Sequence, residues 1–468
     1  MKSKNWESKI YAYALKNAIE YKGKAMQGAV ISSLFHEGLK KEEVKKITPI
    51  VGKIIQDINK LKLEEQEQKF EELEKLTSER KIRVGLPSLP KAKKGKVVLR
   101  FAPYPSGPLH IGNARTAVLN DKYAEMYKGK MILVIDDTIG SKEKEIAKEA
   151  YKLIPESLDW MKIKYNKPII YKSDRLEIYY EYAEKLIKKD KAYVCNCSQE
   201  KIRENRVKMR ECSCRQFPID EQLKRWKAMF SKEVKPGDLT LRIKTSMQDQ
   251  NPAFRDRVLF RISDKEHPRV KKKYRVWPML DFSWAIDDHL LKVTHIIRGK
   301  DLMIETDMEN YIWEIFKWKK PIVIHNGLLH IKGVKISKSK GQKEIKQGKY
   351  AGWDDPRTWS LQSLEKRGFQ PQAIKQFLIE FGIKDTEVEV SLEILDSKNR
   401  EIVHEIAEKI QFENADKGNA IILMPDGSWV YGKVDGKLEA GKIYHLLKFG
   451  YCRLNKKGKV NEFWFSHP

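Results

Sequence analysis

The sequence predicts an α/β fold: a doubly wound parallel sheet, preceded by a helical region and followed by a small β-rich module. Three observations carry this. Residues 96–113, KVVLRFAPYPSGPLHIGN, pass from an apolar run (Val97-Val98-Leu99) through a Pro- and Gly-punctuated turn into a helical pattern with Ala114, Ala117 and Val118 on one face. Upstream, Ile10, Ala14, Ile19, Val30, Leu34, Val44 and Ile47 recur at helical spacing. From Asn414 onward the turn signals Pro425-Asp426-Gly427, Asp435-Gly436 and Lys456-Lys457-Gly458 separate short β-rich runs, each reading as a hairpin.

The 468 residues allow two to four domains. Lysine and arginine outnumber aspartate and glutamate by 92 to 65, a formal charge of +27, which favours a polyanionic partner. No apolar run approaches the ~20 residues of a membrane helix. The first residues lack the apolar core of a signal peptide, so the expectation is a cytoplasmic protein in which disulfides are rare.

In chain order, residues 1–84 read as a helical domain in which Thr48-Pro49 predicts a helix start. Residues 63–76 form a charged helix with Phe70, Leu73 and Leu76 as its apolar stripe. Residues 85–95, GLPSLPKAKKG, are a stiff basic linker. In the strand, loop and helix start that follow, glycines admit close backbone approach and the helix end favours negative charge. A histidine there can hydrogen-bond a phosphate without being a base. Gly129 predicts a C-cap. Met131 to Ile135 is the next strand, and its carboxyl end delivers Asp136-Asp137-Thr138 to where doubly wound sheets bind ligands. Asp137 can alternatively cap a helix over residues 141–153. A further helix runs from Ser173-Asp174 to Lys189.

Cys195-x-Cys197 and Cys212-x-Cys214 place four of the five cysteines in two close pairs. In a reducing compartment this favours a tetrahedral zinc, structural because no position is left open. Asp287-Asp288-His289 is too contiguous to be a convincing metal set. The run around Ile296-Ile297 predicts a strand whose end delivers Arg298 into the cleft. Val334 to Gly341, VKISKSKG, is a lysine- and serine-rich loop, followed by helical segments over 359–382 and 391–410.

Taken together in this order, HIGN at 110–113 and KISKS at 335–339 resemble the paired signatures of class I aminoacyl-tRNA synthetases, written HIGH and KMSKS. With RFAPYPSGPLHIGNAR, NPAFRDRVLFRI, HPRVKKKYRVWP, DFSWAIDDHLLKVTHIIRGKD and GWDDPRTWSLQSLEKRG, the chain is similar to the archaeal-type glutamyl-tRNA synthetases over residues 96 to 400. The resemblance implies a class I Rossmann-like catalytic domain in two halves, 96–190 and 274–345, with an acceptor-binding insert at 191–273. It also implies a helical appendage over 1–84, a helical stem-contact domain over 346–410 and a short anticodon-side β module over 411–468. The reaction implied is ATP-dependent ligation of L-glutamate to tRNA(Glu) through glutamyl-adenylate, by a monomer using Mg²⁺ with ATP. Whether tRNA(Gln) is also charged stays open. His110, Asn113, Lys335 and Lys338 would be catalytic, with Ser337 helping to close the loop. Pro103 and Gly112 would join His110 and Lys338 around ATP. Arg100 and Arg298 would take the glutamate carboxylates and Asp136 the ammonium. Alternatives are a glutaminyl-tRNA synthetase and a tRNA-binding paralogue without activity. The chain departs from the family pattern at Tyr104, at Val134 (where arginine is usual) and at Ile139-Gly140.

Overall fold

A computed structural model of the chain describes residues 6–78, 85–140, 145–334 and 338–468. The chain divides into two compact units, 1–84 and 85–468.

The first unit is helical. Helices α1 (Trp6–Glu20), α2 (Gln27–His36), α3 (Val44–Ile58) and α4 (Leu63–Leu73) bury Ile10, Ala14, Val30, Leu34, Val51 and Ile58 against one another. The expected start at Thr48-Pro49 falls inside α3. Helix α3 begins a turn earlier, and Pro49 sits in its second turn, where the missing N–H forfeits one bond. Thr48 turns its hydroxyl back on the Val44 carbonyl at 2.8 Å.

The second unit opens with β1 (Val98–Phe101), α5 (Ile111–Met126), β2 (Lys130–Ile135), α6 (Ala150–Trp160) and β3 (Asn166–Tyr171). Strands β1, β2 and β3 are parallel, in that order. Gly129 takes part in the cap of α5 by donating its N–H to the Ala124 carbonyl at 2.8 Å, but it is not the left-handed residue. Lys128 takes the left-handed conformation at φ 48°, and Gly129 is needed for another reason: a Cβ there would lie 2.3 Å from the Val97 carbonyl oxygen. The helix expected over 141–153 lies in part outside the described residues. Helix α6 starts at Ala150 and continues to Trp160, past Pro155.

Helix α7 (Leu176–Lys188) leads into the insert: β4 (Ala192–Cys195), α8 (Gln199–Val207), α9 (Ile219–Ala228), β5 (Thr240–Ile243), β6 (Val258–Ile262) and β7 (Val276–Pro278). Its four strands form an antiparallel sheet in sequence order. Next come α10 (Leu280–Leu290), β8 (His295–Gly299), α11 (Met303–Ile315) and β9 (Ile322–Asn326), with β8 and β9 parallel. Thr294, just ahead of β8, donates its N–H to the Val98 carbonyl and accepts from the Val98 N–H through its hydroxyl, both at 2.9 Å. These bonds set β8 beside β1, so the carboxyl ends of β1 and β8 open on the same hollow.

The remaining elements are β10 (Leu329–Ile331), α12 (Lys338–Lys346), α13 (Leu361–Arg367), α14 (Pro371–Glu380), β11 (Val388–Val390) and α15 (Leu392–Val403). Helix α15 stops seven residues short of the expected 410. The chain ends in β12 (Glu408–Ile410), β13 (Phe412–Asn414), β14 (Ala420–Leu423), β15 (Trp429–Val434), β16 (Ile443–Leu446), β17 (Gly450–Lys456) and β18 (Asn461–His467). They make one sheet in the order β12-β16-β17-β18-β14-β15-β13. Two hairpin signals hold, at Pro425 to Gly427 and Lys456 to Gly458. Asp435-Gly436 does not join paired strands, because β15 pairs with β13 and β14 and β16 pairs with β12 and β17. No helix among the described residues is long and apolar enough to cross a membrane.

Candidate active site and cysteine cluster

The residues singled out by the two signature segments converge on one cavity of about 400 Å³ at the carboxyl ends of β1 and β8. Arg100, Pro103, His110, Asn113, Arg298 and Lys338 all line it, together with Tyr104 and Trp284. Gly112 lies in the first turn of α5 and is not among the lining residues. Lys335 and Ser337 lie outside the described residues. A second hollow of about 490 Å³, lined by Glu149, Trp353, Lys366 and Arg453 among others, contains none of the candidate catalytic residues.

His110 is the N-cap of α5. Its N–H donates to Asn113 Oδ1 at 2.8 Å, and the Asn113 N–H donates to His110 Nδ1 at 3.3 Å. This reciprocal pair satisfies two donors that a helix start otherwise leaves open. Because Nδ1 accepts, the neutral ring carries its proton on Nε2. Burial, and then the nearby Lys338 ammonium, push the imidazole down to about 3. At neutral pH His110 is therefore an uncharged donor, suited to a phosphate oxygen and unsuited to general base work.

Lys338 is the first residue of α12, which the ring of Trp353 holds against the turn before His110. A Cβ at Gly107 (φ 155°) would lie 2.7 Å from that ring, and one at Gly341 on α12 would lie 3.1 Å from it. The indole Nε1 donates to Glu149 at 2.9 Å.

The other end of the cavity is a set of buried ion pairs around Trp284. Arg100 donates Nε and Nη2 to Asp288 at 2.6 and 3.0 Å. Arg298 donates Nη1 and Nη2 to Glu309 at 2.9 and 2.6 Å. The guanidinium carbons of Arg100 and Arg298 lie 4.5 and 5.0 Å from the Trp284 ring centre. Asp136 does not line the cavity. It is fully buried and held by Lys172 Nζ at 3.2 Å and the Thr138 hydroxyl at 3.1 Å. Lys172 also donates to Ser283 at 2.7 Å and stands 5.1 Å from the Trp284 ring. Asp137 accepts from the Ser173 N–H, the Ser173 hydroxyl and the Tyr151 hydroxyl, while the helix start it is expected to cap, at 141, lies outside the described residues. Asp287 and Asp288 are likewise committed, to Arg175 and Arg100, and His289 stacks on Trp318. The contiguous Asp-Asp-His is thus an ion-pairing device.

Sequence reasoning missed Trp284, Lys172, Glu309 and Trp353. The DFSWAIDD segment carried a signal for Trp284, an aromatic one turn before two acids on a buried helix. An acid at position 309 looks like any solvated helix face, and nothing in the sequence marks it.

The four cysteines lie at the end of β4 and in the turn after α8. Their Sγ atoms fall within 4.8 Å of one another, with Cys195 to Cys212 at 3.8 Å and Cys197 to Cys214 at 4.0 Å. A tetrahedral zinc with Zn–S bonds of about 2.3 Å requires S–S edges of about 3.8 Å, so the donor set fits that ion. The neighbouring Cys212 and Cys214 sulfurs, with burial, push the Cys195 thiol far up. Arg242 Nη1 donates to Cys195 and Cys212 at 3.7 Å.

A family model for class I tRNA synthetases (E and Q), catalytic domain, matches residues 96–405. A glutamate–tRNA ligase of Pyrococcus abyssi is 47% identical over 407 residues, 86% of this chain and 71% of that protein. One of Pyrococcus horikoshii is 48% identical over 406 residues, again 86% and 71%. One of Methanocaldococcus jannaschii is 43% identical over 464 residues, 94% of this chain and 82% of that protein.

Proposed function

The chain belongs to the glutamate–tRNA ligases among the class I tRNA synthetases, and from that membership we propose how its geometry performs the reaction. Glutamate and ATP give glutamyl-adenylate and pyrophosphate, and the acyl group then passes to the terminal ribose of tRNA(Glu), releasing AMP. The observation that supports this assignment of residues is the single cavity. It gathers the α5 start, the α12 start and the ends of β1 and β8.

In the first step a carboxylate oxygen of glutamate attacks the α-phosphorus of ATP in line with the departing pyrophosphate. Little covalent chemistry falls to the protein; alignment and charge stabilisation do the work. His110 donates from Nε2 to a phosphate oxygen, and Asn113 holds the ring in that tautomer. Lys338 neutralises charge developing on pyrophosphate, with Lys335 and Ser337, its neighbours in sequence, assisting. Pro103 and Gly112 shape the turn beside ATP. Mg²⁺ accompanies ATP and supplies further charge neutralisation. Arg100 and Arg298 receive the carboxylates of glutamate. Asp136, set behind the wall on Lys172, acts on the ammonium at longer range than a direct contact.

Cys195, Cys197, Cys212 and Cys214 would hold a structural zinc that fixes the insert for the acceptor end of tRNA. The segments at 346–410 and 411–468 would face the stem and the anticodon side. The excess of basic residues suits the polyanion.

The test is ATP–pyrophosphate exchange with each amino acid, with and without total tRNA. Exchange with glutamate alone is expected. Exchange with glutamine would select the glutaminyl alternative, and none with any amino acid would select the inactive paralogue.

A further inference from the structure

The inference rests on the cavity being the glutamate pocket. The two arginines of its amino-acid end, and the cations packed behind them, are already matched. Arg100 is paired with Asp288, Lys172 with Asp136, Arg298 with Glu309, and the adjoining Arg175 with Asp287. Apart from Arg175, these side chains are at most 5% exposed. Glutamate brings two carboxylates and one ammonium, a net charge of −1. A pocket paired off in this way gives a side-chain carboxylate no net attraction over the carboxamide of glutamine, which has nearly the same shape.

Glu309 is the carboxylate placed to change this. It stands on α11 behind Arg298 and occupies the end of the guanidinium fork through both Nη groups. The opposite edge carries Arg298 Nε, which is buried and has no hydrogen-bond partner among the described residues. Arg298 itself lines the cavity. An arginine whose end is taken and whose remaining buried N–H has no acceptor keeps one donor unused beside the cavity wall. Two carboxylates sharing one buried cation, however, repel each other, and the pair is relieved when one of them takes a proton.

We propose that Glu309 determines amino-acid choice: its carboxylate occupies the fork of Arg298, and the side-chain carboxylate of glutamate gains the full charge of Arg298 only when Glu309 takes up a proton. The proton comes from solvent, one per glutamate bound, and glutamine binding needs none. Burial already holds the Glu309 carboxyl up at about 7, so the uptake is accessible at neutral pH. The charged groups facing Glu309 are Arg298 from β8, Asp288 from α10 and Arg100 from β1. His325 on β9 reaches the same place through Thr306, whose hydroxyl lies 3.0 Å from its Nε2 and 3.2 Å from Arg298 Nη1. Burial, and then Arg298, push the His325 imidazole down, which keeps it neutral over the same pH range.

The experiment measures the KM for L-glutamate in tRNA aminoacylation from about pH 6 to 8.5, for the wild type and Glu309→Gln. Inhibition by L-glutamine is the uncharged comparison, and the KM for ATP is the control. In the wild type the glutamate KM should rise above pH 7, by up to about tenfold per unit, while the glutamine inhibition constant stays flat. Glu309→Gln should lower the glutamate KM at pH 8 severalfold and remove the slope; His325, untouched in that variant, would leave the slope in place were it the cause. A flat wild-type KM overturns the proposal. So does a Glu309→Gln enzyme with a higher glutamate KM and an unchanged ATP KM, which marks Glu309 as packing alone. Should Glu309→Gln fail to fold, Glu309→Asp must keep the slope, and its loss overturns the proposal. Absence of any glutamylation at every pH, with glutamine charged instead, overturns the functional reading and this inference together.

Discussion

The amino-acid end of the cavity and the cysteine cluster of the insert are both dense, buried collections of ionisable groups, and they balance charge in opposite ways. Around Trp284 each cation has its own carboxylate within 3.2 Å. In the insert four sulfurs crowd within 4.8 Å, with Arg242 beside two of them. The first set is neutral from protein groups alone and can assemble as the chain folds. The second cannot ionise without a divalent cation, since four thiolates against one guanidinium would leave buried charge that costs several kcal/mol per ion (roughly). Paired charges can shape a pocket for a ligand that comes and goes, whereas unpaired ligands of one sign need an ion that stays.

The largest expected effect attacks the paired set. Asp288→Ala leaves Arg100 buried and 5% exposed without its bidentate partner. Breaking a buried pair from one side typically costs about 3–5 kcal/mol. Urea unfolding should show a loss of that size; a loss below about 1 kcal/mol would mean that water reaches Arg100 and that the set is not closed.

Next is a charge that serves the reaction more than the fold. Lys338 is half-buried at the start of α12. Lys338→Ala should lower pyrophosphate exchange by about 10²–10³, or roughly 2.7–4 kcal/mol of transition-state stabilisation, with the unfolding midpoint unchanged. Normal exchange in the variant would remove Lys338 from the reaction.

The cysteine cluster gives a smaller, local effect. Protein purified under reducing conditions without chelator should carry about one zinc per chain by elemental analysis. Cys214→Ser should lose the metal and become cleavable by protease within 191–273, with tRNA charging impaired more than pyrophosphate exchange. Full metal content in that variant would place the ion elsewhere.

Legibility in the sequence followed the range of the interaction. His110 and Asn113 are three residues apart and cap one another, so a four-letter motif contains the whole device. The cysteine pairs are close in sequence for the same reason. Arg298 was readable as the end of a strand, but its partner Glu309 faces it from the next helix and looks like a solvated acid until the packing is known. Lys172 was hidden in a helix start, although its partner Asp136 was in plain view. Gly129 was readable as part of the cap, but its second role was not: its N–H closes α5 on Ala124, while the 2.3 Å to Val97 that excludes a side chain depends on a strand approach the sequence does not show. Asp435-Gly436 failed as a hairpin because a local turn signal cannot say that β15 and β16 belong at separated places in a sheet of seven strands.

The smallest effect concerns a group kept neutral, which sets it apart from both clusters. His110 accepts the Asn113 N–H at Nδ1, so protonation there would break the cap and place a cation beside Lys338. The imidazole is pushed down to about 3 in the folded chain, against an ordinary value of 6.5. Between those limits the unfolded chain binds the extra proton and the folded chain does not. Stability from this group is therefore present above pH 6.5 and falls as pH drops below it. His110→Asn keeps a side-chain acceptor for the Asn113 N–H and does not titrate, since asparagine is a good N-cap. The wild type should lose more stability than His110→Asn between pH 7.5 and pH 5, by about 2 kcal/mol. Pyrophosphate exchange in the wild type should show no limb from His110 between pH 6.5 and pH 8. Equal acid losses in the two proteins would mean that the ring is charged as readily in the fold as in water, and its role as a neutral donor to phosphate would fall with that result.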